Sequence, residues 1–343
     1  MRVLVVDDSA LIRLSVGEIL KREGFEVFTA KDGIEAVEKT AKLRPHVITL
    51  DVNMPRMDGL RALERIMKEF PTPVVMLSSL TFEGAKETIE ALRLGAVDFI
   101  AKPNTGIEEI ANELVKKVKM ASTVNPNILR LQNLRKIKGE VLRREWKVKN
   151  EICVLIGSST GGPSALEQII PRLPEDFPAP VFVVQHMPPN FTRQLADRLN
   201  DLSEIEVKEA EENERVRSGT VYVAPGGKHM RLRKAMGVIR IKITDEKPVN
   251  NVKPSVDVTA ESVAEVYGGR AVGVILTGMG EDGAKGMKKL HDLGAKIIAC
   301  SEDTCVVFGM PKAAIETGAV DSVKSIFDIP EEIARFIEVV GNE

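Results

Sequence analysis

A serine between glycines, four histidines and several carboxylates at strand ends hold most of the chemical potential of this chain. In Val154-Leu155-Ile156-Gly157-Ser158-Ser159-Thr160-Gly161-Gly162 a serine follows a buried-strand pattern at a sharp turn. Gly157-x-Ser159-x-Gly161 has the spacing of a nucleophile elbow, in which glycines allow a tight backbone path and leave room for an incoming carbonyl. A glycine-rich strand-to-helix turn is equally a phosphate cradle. The motif alone leaves both readings open.

A serine nucleophile needs a base. His46 precedes a strand, so it belongs to the opposite sheet edge, and His291 lies in the helical pattern Gly286–Leu293. His229, in Ala224-Pro225-Gly226-Gly227-Lys228-His229, can border a pocket. His186 follows Val181-Phe182-Val183-Val184-Gln185 at the carboxyl end of a strand, the edge expected for Ser159, and is the best candidate. The base in turn needs a carboxylate to fix its tautomer and stabilise the imidazolium. Asp282, in Thr277-Gly278-Met279-Gly280-Glu281-Asp282-Gly283, fits this role, with Glu281 as its rival. Backbone amides near Thr160 and Met279-Gly280 are placed to receive an oxyanion. The order Ser…His…Asp differs from the Ser…Asp/Glu…His order of α/β-hydrolases, so another fold is expected.

A second chemistry opens the chain. Asp7 and Asp8 follow the first apolar run and Asp51 follows the third. Carboxyl ends of parallel strands share one edge, so the three carboxylates should converge. Their mutual repulsion calls for a cation, and oxygen-rich sites suit magnesium. Ser78 and Lys102 lie on the same edge, where a hydroxyl and an ammonium can hold a phosphoryl group.

The elements that must position these groups are legible as alternation. Val3–Val6, Val47–Leu50 and Val74–Leu77 read as buried strands. Ile12, Val16, Ile19 and Leu20 recur at helical spacing between them, and Ile107–Met120 closes the block. The rhythm resumes with Ile152–Ile156, Val181–Val184, Val272–Leu276 and Lys296–Ala299. Alternating strands and helices imply parallel βαβ units, hence an α/β fold with two doubly wound domains. Ile205–Glu209, Thr220–Val223 and Val238–Ile243 lack long helices between them and are expected to leave the sheet as an antiparallel excursion. The expected domains are 1–121 and 151–343. Between them 122–150 carries Arg130, Arg135, Lys136, Lys138, Arg143, Arg144, Lys147 and Lys149 against Glu140 and Glu145. That composition reads as a basic linker, with Trp146 packing it against a neighbouring domain.

Composition narrows the classes. The chain has 343 residues, 43% hydrophobic and 29% charged, with a net charge of −2. This is a globular balance, with no global field for nucleic acid or an anionic membrane. The amino terminus meets acid too early for a signal peptide, and no apolar run is long enough to span a bilayer. Cys153, Cys300 and Cys305 lack paired metal-ligand spacing, so reduced thiols in the cytoplasm are expected.

Two resemblances follow. Val6-Asp7-Asp8, Asp51-Val52-Asn53-Met54-Pro55-Arg56-Met57-Asp58-Gly59, Ser78 and Lys102-Pro103 together resemble the receiver domain of two-component response regulators, a flavodoxin-like fold. The resemblance implies that Asp51 accepts phosphate. Asp7, Asp8 and Asp51 would hold magnesium with the backbone carbonyl of Asn53, and Ser78, Phe99 and Lys102 would act as the switch. Phe99 stands where tyrosine is commoner, so a switch step using a phenol hydroxyl is not expected.

Gly157–Gly162, Gln185-His186-Met187-Pro188, Ala224–His229 and Leu276–Ala284 resemble the bacterial chemotaxis protein-glutamate methylesterases, whose catalytic domain is a Rossmann-like α/β fold. The resemblance implies a triad at Ser159, His186 and Asp282, with Thr160 and Met279 at supporting and oxyanion positions and no cofactor at the esterase site. It also implies glutamate γ-methyl esters on cytoplasmic chemoreceptor helices as substrates, possible glutamine deamidation, and a chemotaxis histidine kinase as phosphodonor. A receiver that controls DNA binding would instead need a compact helix-turn-helix after the linker. A nucleotide-binding signalling domain would use Gly161-Gly162 for phosphates and tolerate loss of Ser159. The joint arrangement further implies that the unphosphorylated receiver partly covers the serine edge.

Overall fold

Apolar runs of five or six residues, rich in Val and Ile, form strands buried on both faces, as parallel sheets require. The computed structural model describes residues 1–102, 107–125, 128 and 140–342. The chain divides into two units, Met1–Arg135 and Lys136–Glu343. In the first, β1 (Arg2–Val6), β2 (Glu26–Ala30), β3 (Val47–Asp51), β4 (Val74–Ser79) and β5 (Asp98–Lys102) form one parallel sheet in the order β2-β1-β3-β4-β5. Ser9, Asp32, Asp58 and Thr81 cap four of the helices that cover it, each side chain accepting a first-turn amide. The helix Ala10–Arg22 turns Val16, Ile19 and Leu20 into the core. Each such buried side chain contributes about 1.5–3 kcal/mol.

The second unit contains β6 (Cys153–Ser158), β7 (Val181–Gln185), β8 (Glu206–Glu209), β9 (Thr220–Val223), β10 (His229–Ala235), β11 (Val238–Thr244), β12 (Ala271–Ile275), β13 (Lys296–Cys300) and β14 (Ser322–Lys324). Seven of these form a parallel sheet in the order β14-β13-β12-β6-β7-β9-β8. From β6 the chain runs outward through β7, then returns to add β12 on the other flank. The carboxyl ends of β12, β6 and β7 therefore meet where the winding reverses, the usual place for a site in an open α/β sheet.

Both units are thus doubly wound α/β folds. The expected antiparallel excursion is smaller than its three segments implied, because β8 and β9 stay in the sheet, parallel to each other and to β7. β-Branched composition reports a pleated, buried surface and is blind to strand direction. Only β11 leaves, paired antiparallel with β10 through a two-residue turn. Met236 (φ 50) and Gly237 (φ 77) give that turn the positive angles that match hairpin twist.

Part of the basic stretch lies on the second unit. The Leu142 amide donates to the Arg172 carbonyl at 2.9 Å and the Lys149 amide to Gly341 at 3.1 Å. Trp146 meets Phe177 edge-on, with centroids 5.3 Å apart, and the Arg144 guanidinium lies 4.7 Å from the Trp146 ring centre. Arg130, Arg135, Lys136, Lys138 and Pro103 lie outside the described residues. Among the described residues, no helix is long and apolar enough to cross a membrane.

Candidate active site

In the first unit the carboxyl edge gathers acid. One oxygen each from Asp7, Asp8 and Asp51 lie within 4.8 Å of one another, with Asp7 and Asp51 buried and Asp8 exposed. Gly59 permits this crowding: a Cβ there would fall 2.0 Å from the Asp51 carbonyl oxygen, so the next helix starts hard against β3 only with glycine. Lys102 Nζ lies 2.8 Å from Asp7 and 2.7 Å from Asp51. Burial raises the Asp51 carboxyl above its ordinary value and Asp7 adds to the rise, against the pull of Lys102. Burial works against the Lys102 ammonium too, but Asp51 and Asp7 outweigh it and hold its pKa above the usual lysine value. Lys102 pairs with Asp7 and Asp51, and Asp8 stands beside them, so three carboxylates face one ammonium and negative charge is left in surplus. Hard oxygen donors with that surplus fit a magnesium ion.

The switch candidates lie around this cluster in different settings. The buried Ser78 hydroxyl donates to the Gly84 carbonyl at 3.0 Å rather than to the acids. Phe99 is buried, with Lys117 Nζ 5.3 Å from its ring centre. Asn53 Nδ2 donates to Glu87 at 3.2 Å.

In the second unit Ser159 immediately follows β6, and the helix Gly162–Ile169 begins three residues on. The positive φ falls on Gly161 (76°), not on the serine, so this turn lacks the strained serine of an α/β-hydrolase elbow. The Ser159 amide donates to the Thr277 carbonyl at 3.0 Å, tying the turn to the loop after β12. A Cβ on Gly278 would fall 2.8 Å from Ser159 Cβ, so that loop packs directly on the serine. Thr277 Oγ1 donates to the Thr160 carbonyl at 2.9 Å, with Thr160 itself buried. Met279, half-buried, follows Gly278 in the same loop.

His186, one residue past β7, donates its amide to the Ser158 carbonyl at 3.1 Å. Its Nε2 lies 2.8 Å from Asp282 Oδ2, and the two side chains are 9% and 3% exposed. Among the described residues no hydrogen bond joins Ser159 Oγ to the imidazole. With Nε2 committed to the aspartate, Nδ1 is the nitrogen left for a base. Burial alone would raise the Asp282 carboxyl, but bonds from His186, Ser255 and Asn250 outweigh it and hold the pKa below the ordinary value. His229 is elsewhere: fully buried, its Nδ1 accepts the Ser255 amide at 3.2 Å and its Nε2 lies 3.1 Å from the Lys247 carbonyl. His46 accepts the Arg2 amide at 3.1 Å, at the amino end of β1.

Known proteins align with this architecture. A model of the CheB methylesterase family matches residues 154–333, and one of the response regulator receiver domain matches residues 3–115. The chain is 67% identical to the protein-glutamate methylesterase/protein-glutamine glutaminase of Archaeoglobus fulgidus, over 100% of both. The chain belongs to the CheB methylesterase family. The Thermotoga maritima protein-glutamate methylesterase/protein-glutamine glutaminase is 48% identical over 98% of each chain. The crystal structure of the Thermotoga maritima CheB methylesterase catalytic domain covers 55% of this chain and 99% of its own, at 50% identity and a TM-score of 0.53. The family is one of carboxylic ester hydrolases, here joined to a response-regulator receiver.

Several residues of the methylesterase unit support the site although the sequence pattern assigned them no role of their own. Gln185 Nε2 donates to the Ser159 carbonyl at 2.9 Å, while its Oε1 accepts the Ser158 hydroxyl at 2.6 Å. Gly162 makes room for it, since a Cβ there would fall 1.9 Å from Gln185 Oε1. Asn250, Ser255 and the Val256 amide all donate to Asp282. Ser255 did have a signal, as a serine just before a helical pattern. That signal reads as a cap, yet Ser255 makes no capping bond, because its hydroxyl goes to Asp282.

Proposed function

We propose that this chain is a phosphorylation-regulated serine hydrolase that removes γ-methyl esters from glutamates on chemoreceptors and releases methanol. What supports this reading is the pairing of His186 with Asp282 at 2.8 Å on the edge that carries Ser159, within a chain alike over its full length to named methylesterases. Ser159 Oγ attacks the ester carbonyl as His186 Nδ1 takes its proton, and Asp282 stabilises the imidazolium. Amides near Thr160 and Met279 receive the developing oxyanion. The imidazolium returns the proton to the departing methoxide, leaving a glutamyl ester on Ser159. The same nitrogen then deprotonates water, which frees the glutamate carboxylate and the serine. With a glutamine side chain the leaving group is ammonia, the second activity in the relatives' names. A Ser159–His186 hydrogen bond forms on substrate binding, since catalytic hydrogen bonds are often long or poorly aligned in the free enzyme.

In the receiver, Asp51 takes a phosphoryl group from a chemotaxis histidine kinase and so sets the esterase rate. Asp7, Asp8 and Asp51, with the Asn53 carbonyl, would hold magnesium, which supplies charge neutralisation to the phosphoryl oxygens. Lys102 then pairs with the phosphoryl group, while Ser78 and Phe99 respond to it. Residues 1–121 act as receiver, 122–150 as connector and 151–343 as esterase. The protein works in the cytoplasm, on the cytoplasmic helices of its receptors.

The test is Ser159→Ala, assayed by methanol release from a methylated chemoreceptor fragment. A fall in kcat of about 10⁴-fold or more, with folding preserved, is expected. Retained hydrolysis overturns the reading.

A further inference from the structure

Asp282 is held more completely than an orienting carboxylate needs to be if His186 were its only concern. An ionised carboxylate offers about four lone-pair sites on its two oxygens. Here all four are taken. Oδ1 accepts from Asn250 Nδ2 at 2.8 Å and Ser255 Oγ at 2.7 Å, while Oδ2 accepts from the Val256 amide at 2.7 Å and lies 2.8 Å from His186 Nε2. Three of the four donors come from one segment, 250–256, which enters the helix Val256–Tyr267. Asp282 therefore sits on the amino end of that helix and replaces the cap that Ser255 would otherwise supply to its own chain. Free amides and the helix dipole there both favour the ionised form.

Asn250 is fixed from both sides. Its amide nitrogen donates to Asp282 Oδ1 and also, at 2.8 Å, to Asp257 Oδ2. With both N–H groups facing carboxylates, its oxygen has only one way to point. Asp257 in turn accepts the Gly286 amide at 2.7 Å, from the helix Ala284–Asp292 that follows Asp282. The two loops are thereby tied in both directions. Asn250 itself adopts φ 52, a left-handed conformation that asparagine tolerates better than most residues. Ser255 is braced from behind by His229, whose Nδ1 accepts its amide at 3.2 Å.

We propose that Asn250 and Ser255 are positioning residues for ester hydrolysis: they lock the Asp282 carboxylate in rotation, so that His186 is offered one acceptor, in one direction, with Nδ1 aimed at the serine turn. The proposal rests on the assignment of Ser159, His186 and Asp282 as the triad. Without these donors the carboxylate rotates about its Cβ–Cγ bond, and the imidazole loses its single orientation. Chemistry then slows while substrate binding persists, because neither residue is needed to bind the receptor.

The full-length variants Asn250→Gly and Ser255→Ala test this, with Ser159→Ala in parallel. Glycine keeps the positive φ at 250 and removes only the side chain, so loss of the fold is not confounded with loss of the bond. On a methylated chemoreceptor fragment each should lower kcat on the order of ten-fold and leave KM within about two-fold, the scale of one lost bond to a charged group. The wild type is expected to show a downfield proton resonance from His186 Nε2–H, and it should broaden or move upfield in both variants. A resonance unchanged in both variants, or an unchanged kcat, overturns the positioning role. Hydrolysis surviving in Ser159→Ala removes the triad itself. Inactivity of Ser159→Ala beside full activity of Asn250→Gly and Ser255→Ala removes only the clamp.

Discussion

Asp51 ends a central strand of one parallel sheet and Asp282 lies in the loop after a central strand of the other; both are buried, but they are kept ionised by different means. Asp51 shares one ammonium, Lys102, with Asp7, and burial leaves its pKa raised. Asp282 is surrounded by fixed donors, two of them uncharged side chains, and its pKa is lowered despite burial. The first arrangement has charge to spare and can take up a cation or a phosphoryl group. The second is satisfied, and gains nothing by changing. The same topological position thus serves a responsive site in one unit and a preorganised site in the other.

The largest expected effect falls on the preorganised side. Asp282→Asn should lower kcat about 10⁴-fold, because the amide carries no charge to stabilise the imidazolium and turns an NH2 group toward either Asn250 or the Val256 and His186 donors. Steady-state kinetics on the methylated receptor fragment would show it, with KM little changed. Chelation of divalent ions separates the two sites next. EDTA should abolish phosphorylation at Asp51 yet leave basal ester hydrolysis within about two-fold. If hydrolysis disappears as well, the two sites are not as different as their donors imply. Gly162→Ala is expected to cost roughly ten- to a hundred-fold in kcat, since the new Cβ displaces Gln185 from the Ser159 carbonyl.

The smallest effects are on stability, and they carry opposite signs. A lowered carboxyl pKa, as at Asp282, contributes stability that is present above the unfolded value and lost as pH falls through the folded one. A raised one, as at Asp51, works the other way: the ionised form is penalised in the folded state at neutral pH. At pH 7, Asp51→Asn should therefore raise the melting transition of the receiver by a few degrees. Asp282→Asn should lower the melting transition of the esterase unit, through a loss of about 1–3 kcal/mol from buried donors left without a proper acceptor. Calorimetry that gave both shifts the same sign would break the contrast.

Much of this was legible as pattern. The strand runs before Asp7, Asp51, Ser159 and His186 are mostly apolar stretches, and parallel sheets align their ends, so convergence follows from topology. Pairing direction was not legible for β8 and β9, because Thr220–Val223 is buried throughout and reads the same in either orientation. Asn250 and Ser255 escaped because their role depends on a loop conformation that brings them against a residue 27 or more positions away. Ser255 carried a local signal, but for capping its own helix. Gln185 stood beside His186 in plain view, and only the small Cβ-free space at Gly162 explains why it turns back to the serine.

The central claim is that His186, held by Asp282, makes Ser159 a nucleophile. It is tested most directly by treating the full-length protein with a serine-directed fluorophosphonate and following adduct formation by mass spectrometry. The account predicts one adduct, on Ser159, formed at least about a hundred-fold more slowly in His186→Gln. An adduct on another residue, or equal labelling rates in the two proteins, would contradict it.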